Sequence, residues 1–286
     1  MIKKVGVIGA GMMGAEISLC FAREGYETFL NDISLEVAEN GKKRQEILLD
    51  KGLSKGKITL EDKLQTLSLV YPTESISNLS NCDLIIEAVL EDWDIKKGVY
   101  EELDRCCKKN TIIATNTSSI SISKLASCVG KERKGRFVGM HFNSPASVMK
   151  LVEVIPGLLT EENTVSEVTE ILKKIQKVPV RVKDVVGFGL NRIFHCMYAE
   201  ACRLVEEGVC SVEDVDKICK YGLGHPMGIF ALLDITGHDL NLRVDRIMFD
   251  AYGERFRPSP QIQRLVDSGR LGRKTGAGFY DYEEKK

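Results

Sequence analysis

The feature that most restricts this chain is a glycine turn set between a strand and a helix. Lys4–Ile8 is apolar and partly β-branched, and it runs straight into Gly9-Ala10-Gly11-Met12-Met13-Gly14. Ala15–Arg23 follows with apolar residues at helical spacing, and Gly25 stops it. A bare G-x-G-x-x-G occurs by chance; the order strand, turn, helix gives it meaning. Gly9 permits the tight turn, Gly11 lets backbone approach a pyrophosphate, and Gly14 lets helix and strand pack closely. Met12 and Met13 complete the turn, where the helix presents unpaired N–H groups to phosphate. A second strand, Thr28–Leu30, ends at Asn31-Asp32, and Asp32 lies 18 residues after Gly14. A carboxylate there accepts from ribose hydroxyls and repels a 2′-phosphate, so NAD is favoured over NADP. The competing reading is a glycine-rich turn and a surface Asp with no ligand.

Beyond the turn, strand and helix patterns alternate. Ser34–Asp50 is charged and loosely helical, with Gly41 interrupting it; Lys51–Lys57 breaks the run, and Leu60–Leu64 can form a short second helix. By composition alone, the lysines of this pair read as a solvated charged face. Leu67–Val70 and Asp83–Ala88 are further strand candidates, followed by a helix from Trp93 to Cys107 and a strand Thr111–Thr115. That last strand delivers Asn116-Thr117-Ser118-Ser119 at its carboxyl end, where ligands sit in open α/β sheets, although a Ser/Thr turn also serves as a plain helix cap.

Phe137–Met140 and Leu151–Ile155 look like short buried strands around His141-Phe142-Asn143-Ser144-Pro145, and Glu153 lies in the second of them. Neighbouring strands would bring His141 and Glu153 into hydrogen-bond range, the usual arrangement for a positioned base near neutral pH. The bland alternative is a histidine bonded to a backbone carbonyl. Glu161–Gln176 then reads as a helix and Val178–Val182 as the last strand.

After Asp184-Val185-Val186 the composition changes to successive helices: Leu190–Glu207, Ser211 to about Lys220, Ile229–Leu233, Leu240–Tyr252 and Ser259–Asp267. A strand is expected only at Gly278-Phe279-Tyr280. The expected architecture is an α/β Rossmann-type doubly wound sheet, mostly parallel, over residues 1–184, followed by a smaller all-α domain over 185–286.

Bulk properties narrow the class. The formal net charge of -1 argues against a nucleic-acid or membrane-surface protein, and no apolar run approaches the ~20 residues that span a bilayer. The N-terminus leads directly into a strand and reads as no signal peptide. Nine cysteines, odd in number and without a Cys-x-x-Cys pattern, suggest reduced thiols in a cytoplasmic protein and no metal site.

These motifs occur in the order of a known family. With Gly187-Phe188-Gly189-Leu190-Asn191-Arg192, His225-Pro226-Met227-Gly228 and Gly272–Tyr280 added, the chain resembles the short-chain 3-hydroxyacyl-CoA (3-hydroxybutyryl-CoA) dehydrogenases over essentially its whole length. The resemblance implies reversible hydride transfer between NAD and C3 of an (S)-3-hydroxyacyl-CoA, in fatty-acid or butanoate metabolism. It implies that His141 is the base and that Glu153 orients it. Ser118 and Asn191 would hold the substrate, and Ala88, Glu91, Lys96, Asn116, Ser144 and Lys274 would lie near the cofactor. It also implies that some of Lys51, Lys55 and Lys57 receive the CoA nucleotide, against the compositional reading, and that the helical domain forms a homodimer.

Three departures from the family pattern stand out. The family reads His-Phe-Phe-Asn-Pro, so its asparagine aligns with Ser144 unless Asn143 reaches in. The stretch around Cys128–Lys134 is longer, which predicts a surface loop, and Val186 replaces a proline. Two other readings share the two-domain plan: a dehydrogenase of a free hydroxy acid or sugar acid, such as gulonate, and a crystallin-like structural protein.

Overall fold

A computed structural model describes residues 2–282; Met1 and residues 283–286, the outer ends of the two expected domains, lie outside the described residues. The chain forms two units, Met1–Phe188 and Gly189–Lys286. The division falls past Asp184 because Phe188, 3 % exposed, is packed into the core of the first unit.

In the first unit, β1 (Lys4–Ile8) passes through the glycine turn into α1 (Met12–Arg23) and on to β2 (Glu27–Asn31). The helical insert follows as α2 (Leu35–Ser54) and α3 (Leu60–Ser68). Gly41 does not break α2. A side chain there would lie 2.8 Å from the Ala10 Cβ, so the glycine lets α2 press against the turn after β1. Gln45, one turn on, donates to the Ala15 carbonyl at 2.8 Å and fastens α2 to α1.

Two expectations fail beside this insert. Lys51–Ser54 stays helical, and Leu67–Ser68 is the last turn of α3 rather than the start of a strand. A capping box starts α3: the Thr59 hydroxyl accepts from Asp62 N at 3.1 Å and the Asp62 carboxylate accepts from Thr59 N at 2.8 Å. The strand β3 is Val70–Thr73.

The remaining elements are β4 (Leu84–Glu87), α4 (Trp93–Cys106), β5 (Ile112–Thr115), α5 (Ile122–Leu125), β6 (Phe137–Phe142), β7 (Leu151–Pro156), α6 (Glu162–Lys174) and β8 (Val178–Arg181). They complete an eight-stranded sheet of order β3-β2-β1-β4-β5-β6-β7-β8. Strand β7 runs antiparallel to β6, and every other pairing is parallel. Alternating side chains fill both faces: Val5, Val7, Ile86 and Val138 join one apolar cluster, Ile8, Ile85, Ile113 and Phe137 the other. Both edge strands carry a proline, Pro72 and Pro179, which removes a donor from each open edge.

The stretch 128–134 is not a loose loop. It winds into 3₁₀ turns, Ala126–Cys128 and Lys131–Arg136. Arg133 is buried there and donates to Asp104 Oδ1, Lys108 O and Cys107 O at 2.8, 2.8 and 2.9 Å.

The second unit consists of α7 (Leu190–Glu206), α8 (Val212–Lys217), α9 (Ile229–Thr236), α10 (His238–Tyr252) and α11 (Pro260–Asp267) around Tyr198, Cys202, Phe230, Leu233, Leu242 and Ile262. Two buried aspartates organise it. Asp216 accepts from Phe230 N and Ala231 N at the start of α9 and from the Tyr280 hydroxyl, at 2.8, 3.1 and 2.9 Å. Asp234 accepts from His238 Nε2, Phe279 N, Tyr280 N and the Tyr282 hydroxyl at 2.7 to 3.0 Å. Gly278–Tyr280 therefore forms no strand: its amides turn to a carboxylate, and only isolated bridges remain, Gly272 to Ala277 and Ala277 to Asp281.

Candidate active site

The strand order reverses between β1 and β4, which opens a crevice at the carboxyl ends of these strands. The glycine turn lies on its rim. Gly9 adopts φ 96°, and a Cβ on Gly14 would lie 1.7 Å from the Gly9 carbonyl, so the turn closes only with glycine at both positions. Gly11 is the N-cap of α1, offers no side-chain cap, and has open space around it. The first amides of α1 thus have no side-chain acceptor, and Met12 beside them is exposed. Asp32, at the end of β2, accepts from Ala10 N at 2.6 Å and from Ile33 N at 2.7 Å, which draws its carboxylate to the same rim. Open space over Gly11, uncapped amides and a carboxylate beside them fit a dinucleotide.

Across the switch point, β4 ends in Glu87, fully buried. Its Oε1 accepts from Lys96 Nζ at 2.7 Å and Val89 N at 2.8 Å; its Oε2 accepts from Thr115 Oγ1 at 2.9 Å and from the Tyr100 hydroxyl. Burial, and then Glu87 itself, push the Tyr100 phenol well above its usual range, so it stays a donor. Lys96, 1 % exposed, also reaches Glu91 Oε2 at 3.2 Å. Glu91 Oε1 gathers the serine loop: Thr117 Oγ1 at 2.5 Å, Ser118 N at 3.0 Å, and Ser119 N and Oγ both at 2.8 Å. Burial pushes the Glu91 carboxyl up, but Lys96 and the donors of Thr117 and Ser119 outweigh it and hold the group below its ordinary value. Ala88 N donates to Ile8 O at 2.7 Å beside the glycine turn, and Asn116 Oδ1 accepts from Phe142 N at 2.8 Å, joining β5 to β6.

The antiparallel register of β6 and β7 pairs His141 directly with Glu153. Their side chains meet at 2.8 Å between His141 Nδ1 and Glu153 Oε2, both nearly buried. On the other ring edge, Nε2 lies 3.1 Å from Ser118 Oγ. A carboxylate accepts only, so Nδ1 is the donor to Glu153, and in the neutral imidazole Nε2 is then the acceptor. Phe188 backs the imidazole at 5.6 Å between ring centres. The serine loop, the histidine and the glutamate thus form one linear relay. Ser144 is exposed, joined to Pro145 through a cis peptide, and Asn143 is half-buried beside it.

The other candidates stand outside this relay. Lys51 lies in the last turn of α2, and Lys55 and Lys57 follow it; all three are exposed, and among the described residues none is in an ion pair. Asn191 lies in the first turn of α7 in the second unit. Lys274, also there, is gripped by both oxygens of Asp239 at 2.6 and 2.7 Å.

Sequence reasoning gave no role to Glu87, Thr115, Thr117 or Phe188. Glu87 had a usable signal, a carboxylate closing an otherwise apolar strand next to Ala88 and Glu91. Thr117 had none, since its role depends on Glu91 folding back onto the loop.

Family models match both parts of the chain: "3-hydroxyacyl-CoA dehydrogenase, NAD binding domain" over residues 4–185 and "3-hydroxyacyl-CoA dehydrogenase, C-terminal domain" over residues 187–282. A 3-hydroxybutyryl-CoA dehydrogenase of Clostridioides difficile is 41% identical over 98% of this chain and 100% of its own length. A probable 3-hydroxybutyryl-CoA dehydrogenase of Bacillus subtilis is 39% identical over 99% of both chains. Among solved structures, the (S)-3-hydroxybutyryl-CoA dehydrogenase of Ralstonia eutropha superposes with a TM-score of 0.94 at 38% identity, covering 99% of this chain and 100% of its own. With a glycine turn, a serine loop and a His–Glu pair at one sheet edge, and with both models matched along its length, this chain belongs to the 3-hydroxyacyl-CoA dehydrogenase family.

Proposed function

We propose that the protein catalyses the reversible, NAD-dependent oxidation of short-chain (S)-3-hydroxyacyl-CoA thioesters to 3-oxoacyl-CoA. The observation that carries this reading is the Ser118–His141–Glu153 relay, with Nδ1 on Glu153 and Nε2 facing the serine. Bound NAD supplies the hydride acceptor. His141 takes the C3 hydroxyl proton at Nε2, and in the reverse direction returns it to the carbonyl oxygen. Glu153 fixes the ring and offsets the positive charge that forms on it. Ser118 Oγ, now bonded to Nε2, donates instead to the substrate oxygen and holds it beside the base. Asn191 is a further candidate for holding the thioester end of the substrate. Asp32 favours NAD over NADP, because a 2′-phosphate would stand against its carboxylate. Glu91, Lys96, Asn116, Ala88 and Ser144 serve the cofactor directly or by shaping its crevice. Exposed Lys51, Lys55 and Lys57 suit the CoA phosphates. A homodimer through the second unit is supported by exposed Ile193, Tyr221 and Leu223.

NADH oxidation with acetoacetyl-CoA, measured beside free acetoacetate and beside NADPH, tests the reading. Turnover of the thioester with NADH is expected. Preference for the free acid would sink the thioester assignment, and turnover of neither would sink the dehydrogenase assignment.

A further inference from the structure

Glu16 lies on α1, two residues past Gly14, and is only 7 % exposed. Its Oε2 accepts from both donors of Ser147, the backbone N and Oγ, each at 2.8 Å. Ser147 belongs to the connection that leaves β6 after His141 and returns along β7 to Glu153. The same connection is held by Lys177, 9 % exposed, whose ammonium donates to Ala146 O at 2.5 Å and Met149 O at 2.9 Å. Cys20, one helical turn past Glu16, adds a contact from Sγ to Ala146 O at 3.3 Å. The Pro145 carbonyl closes the turn by accepting from Val148 N and Met149 N at 3.0 and 2.9 Å.

A buried carboxylate and a buried ammonium therefore both find their partners in residues 146–149. If that half of the loop lifted away, both charges would lose these hydrogen bonds. The other half is held differently. Asn143 is half-buried, Ser144 and Pro145 are exposed, and among the described residues neither the Asn143 nor the Ser144 side chain is hydrogen-bonded. Where these two polar groups stand is thus set by the anchored half behind them. The anchor is the helix whose first amides form the phosphate cradle, and a dinucleotide with its phosphates there would extend across the switch point toward the far side of the sheet, where β5 and β6 lie.

We propose that Glu16 is a positioning residue for hydride transfer: through Ser147 it fixes the loop that places Asn143 and Ser144 beside His141, in register with the glycine turn. This rests on the dehydrogenase reading above. Misplacement of a bound reactant by about 1 Å can cost on the order of 10²-fold in rate. The effect belongs to the hydride step and not to CoA affinity.

Glu16→Ala, Glu16→Gln and Ser147→Ala test this in the full chain by two measurements. The first is hydrogen exchange of the amides of residues 146–149, with and without NADH. The second is the isotope effect on kcat from NADH deuterated at the transferred position, with acetoacetyl-CoA. Glu16→Ala should speed exchange of these amides, lower kcat by about 10-fold or more, and raise the isotope effect as hydride transfer becomes limiting, with KM for the thioester within about twofold of wild type. Glu16→Gln, which keeps an acceptor oxygen, should restore most of each. Ser147→Ala, which keeps the amide donor, should fall between, and it serves if Glu16→Ala does not fold. A purely structural defect would reduce the amount of active enzyme and leave the isotope effect unchanged. An unchanged isotope effect, or unchanged exchange of residues 146–149, overturns the proposal. Should the wild-type chain reduce no 3-oxoacyl-CoA, the dehydrogenase reading fails and the hydride-step role with it, while the exchange measurement still decides whether Glu16 holds the loop.

Discussion

His141 differs from an ordinary buried histidine in that both ring nitrogens are committed to different partners. Glu153 fixes Nδ1 as the donor, and Ser118 faces Nε2. The substitution His141→Gln keeps a polar side chain but removes the titrating site. It should leave NADH binding, read by fluorescence titration, near the wild-type value while kcat falls by ~10²–10⁴-fold; near-normal turnover would refute the assignment of His141 as base. At Asp32, replacement by Ala together with Ile33→Arg should raise NADPH use relative to NADH, because the repelling carboxylate is gone and a cation is supplied. An unchanged ratio of kcat/KM for the two cofactors would mean that Asp32 does not read the ribose. The placement of both residues was legible in the sequence, since each lies near the end of a recognisable strand.

The segment from β4 to β5 works as one element. Glu87, Lys96, Tyr100, Thr115 and Glu91 form a continuous polar network beneath the serine loop, and nearly all of it is buried. Lys96→Met would leave Glu87 and Glu91 without their cation. Breaking one partner of a buried pair typically costs about 3–5 kcal/mol, to be read from urea unfolding; a loss below about 1 kcal/mol would contradict the network. The same element sets an acid limit. A carboxyl held below its ordinary value, as Glu91 is, contributes stability that is fully present above the unfolded value near 4.5 and is lost as pH falls through the folded one. NADH affinity and ordering of the serine loop should therefore hold down to about pH 5 and weaken below about 4.5, and Glu91→Gln should flatten that acid limb. This network was hardly legible, because it depends on α4 returning Lys96 and Tyr100 onto the strand they followed. The start of α3 at Leu60 was legible, whereas its continuation to Ser68, where a strand was expected from Leu67, was not.

At the scale of the molecule, two units with separate cores share one chain, and the dinucleotide cradle lies wholly in the first. Cofactor should then stabilise that unit selectively, by about 2.7 kcal/mol at a hundredfold excess over Kd. Calorimetry with and without NADH should show the transition of the first unit moving upward by a few degrees, and no shift of any transition would contradict the placement of the cradle. The two-part layout was legible from the change in composition after Asp184. The limit at Phe188 was not, because it is set by an aromatic ring seated in the sheet's core behind His141.

The network under the serine loop also bears on how such a chain can diverge. Each oxygen of Glu87 already has two donors, and Lys96 answers to two acids, so a change at 87, 96, 100 or 115 is tolerated only if its neighbours change with it. Asn143 and Ser144 carry no such obligation. Lineages descended from this sequence would be expected to drift first at those two positions, exploring new acyl substrates over a floor that cannot be altered one residue at a time.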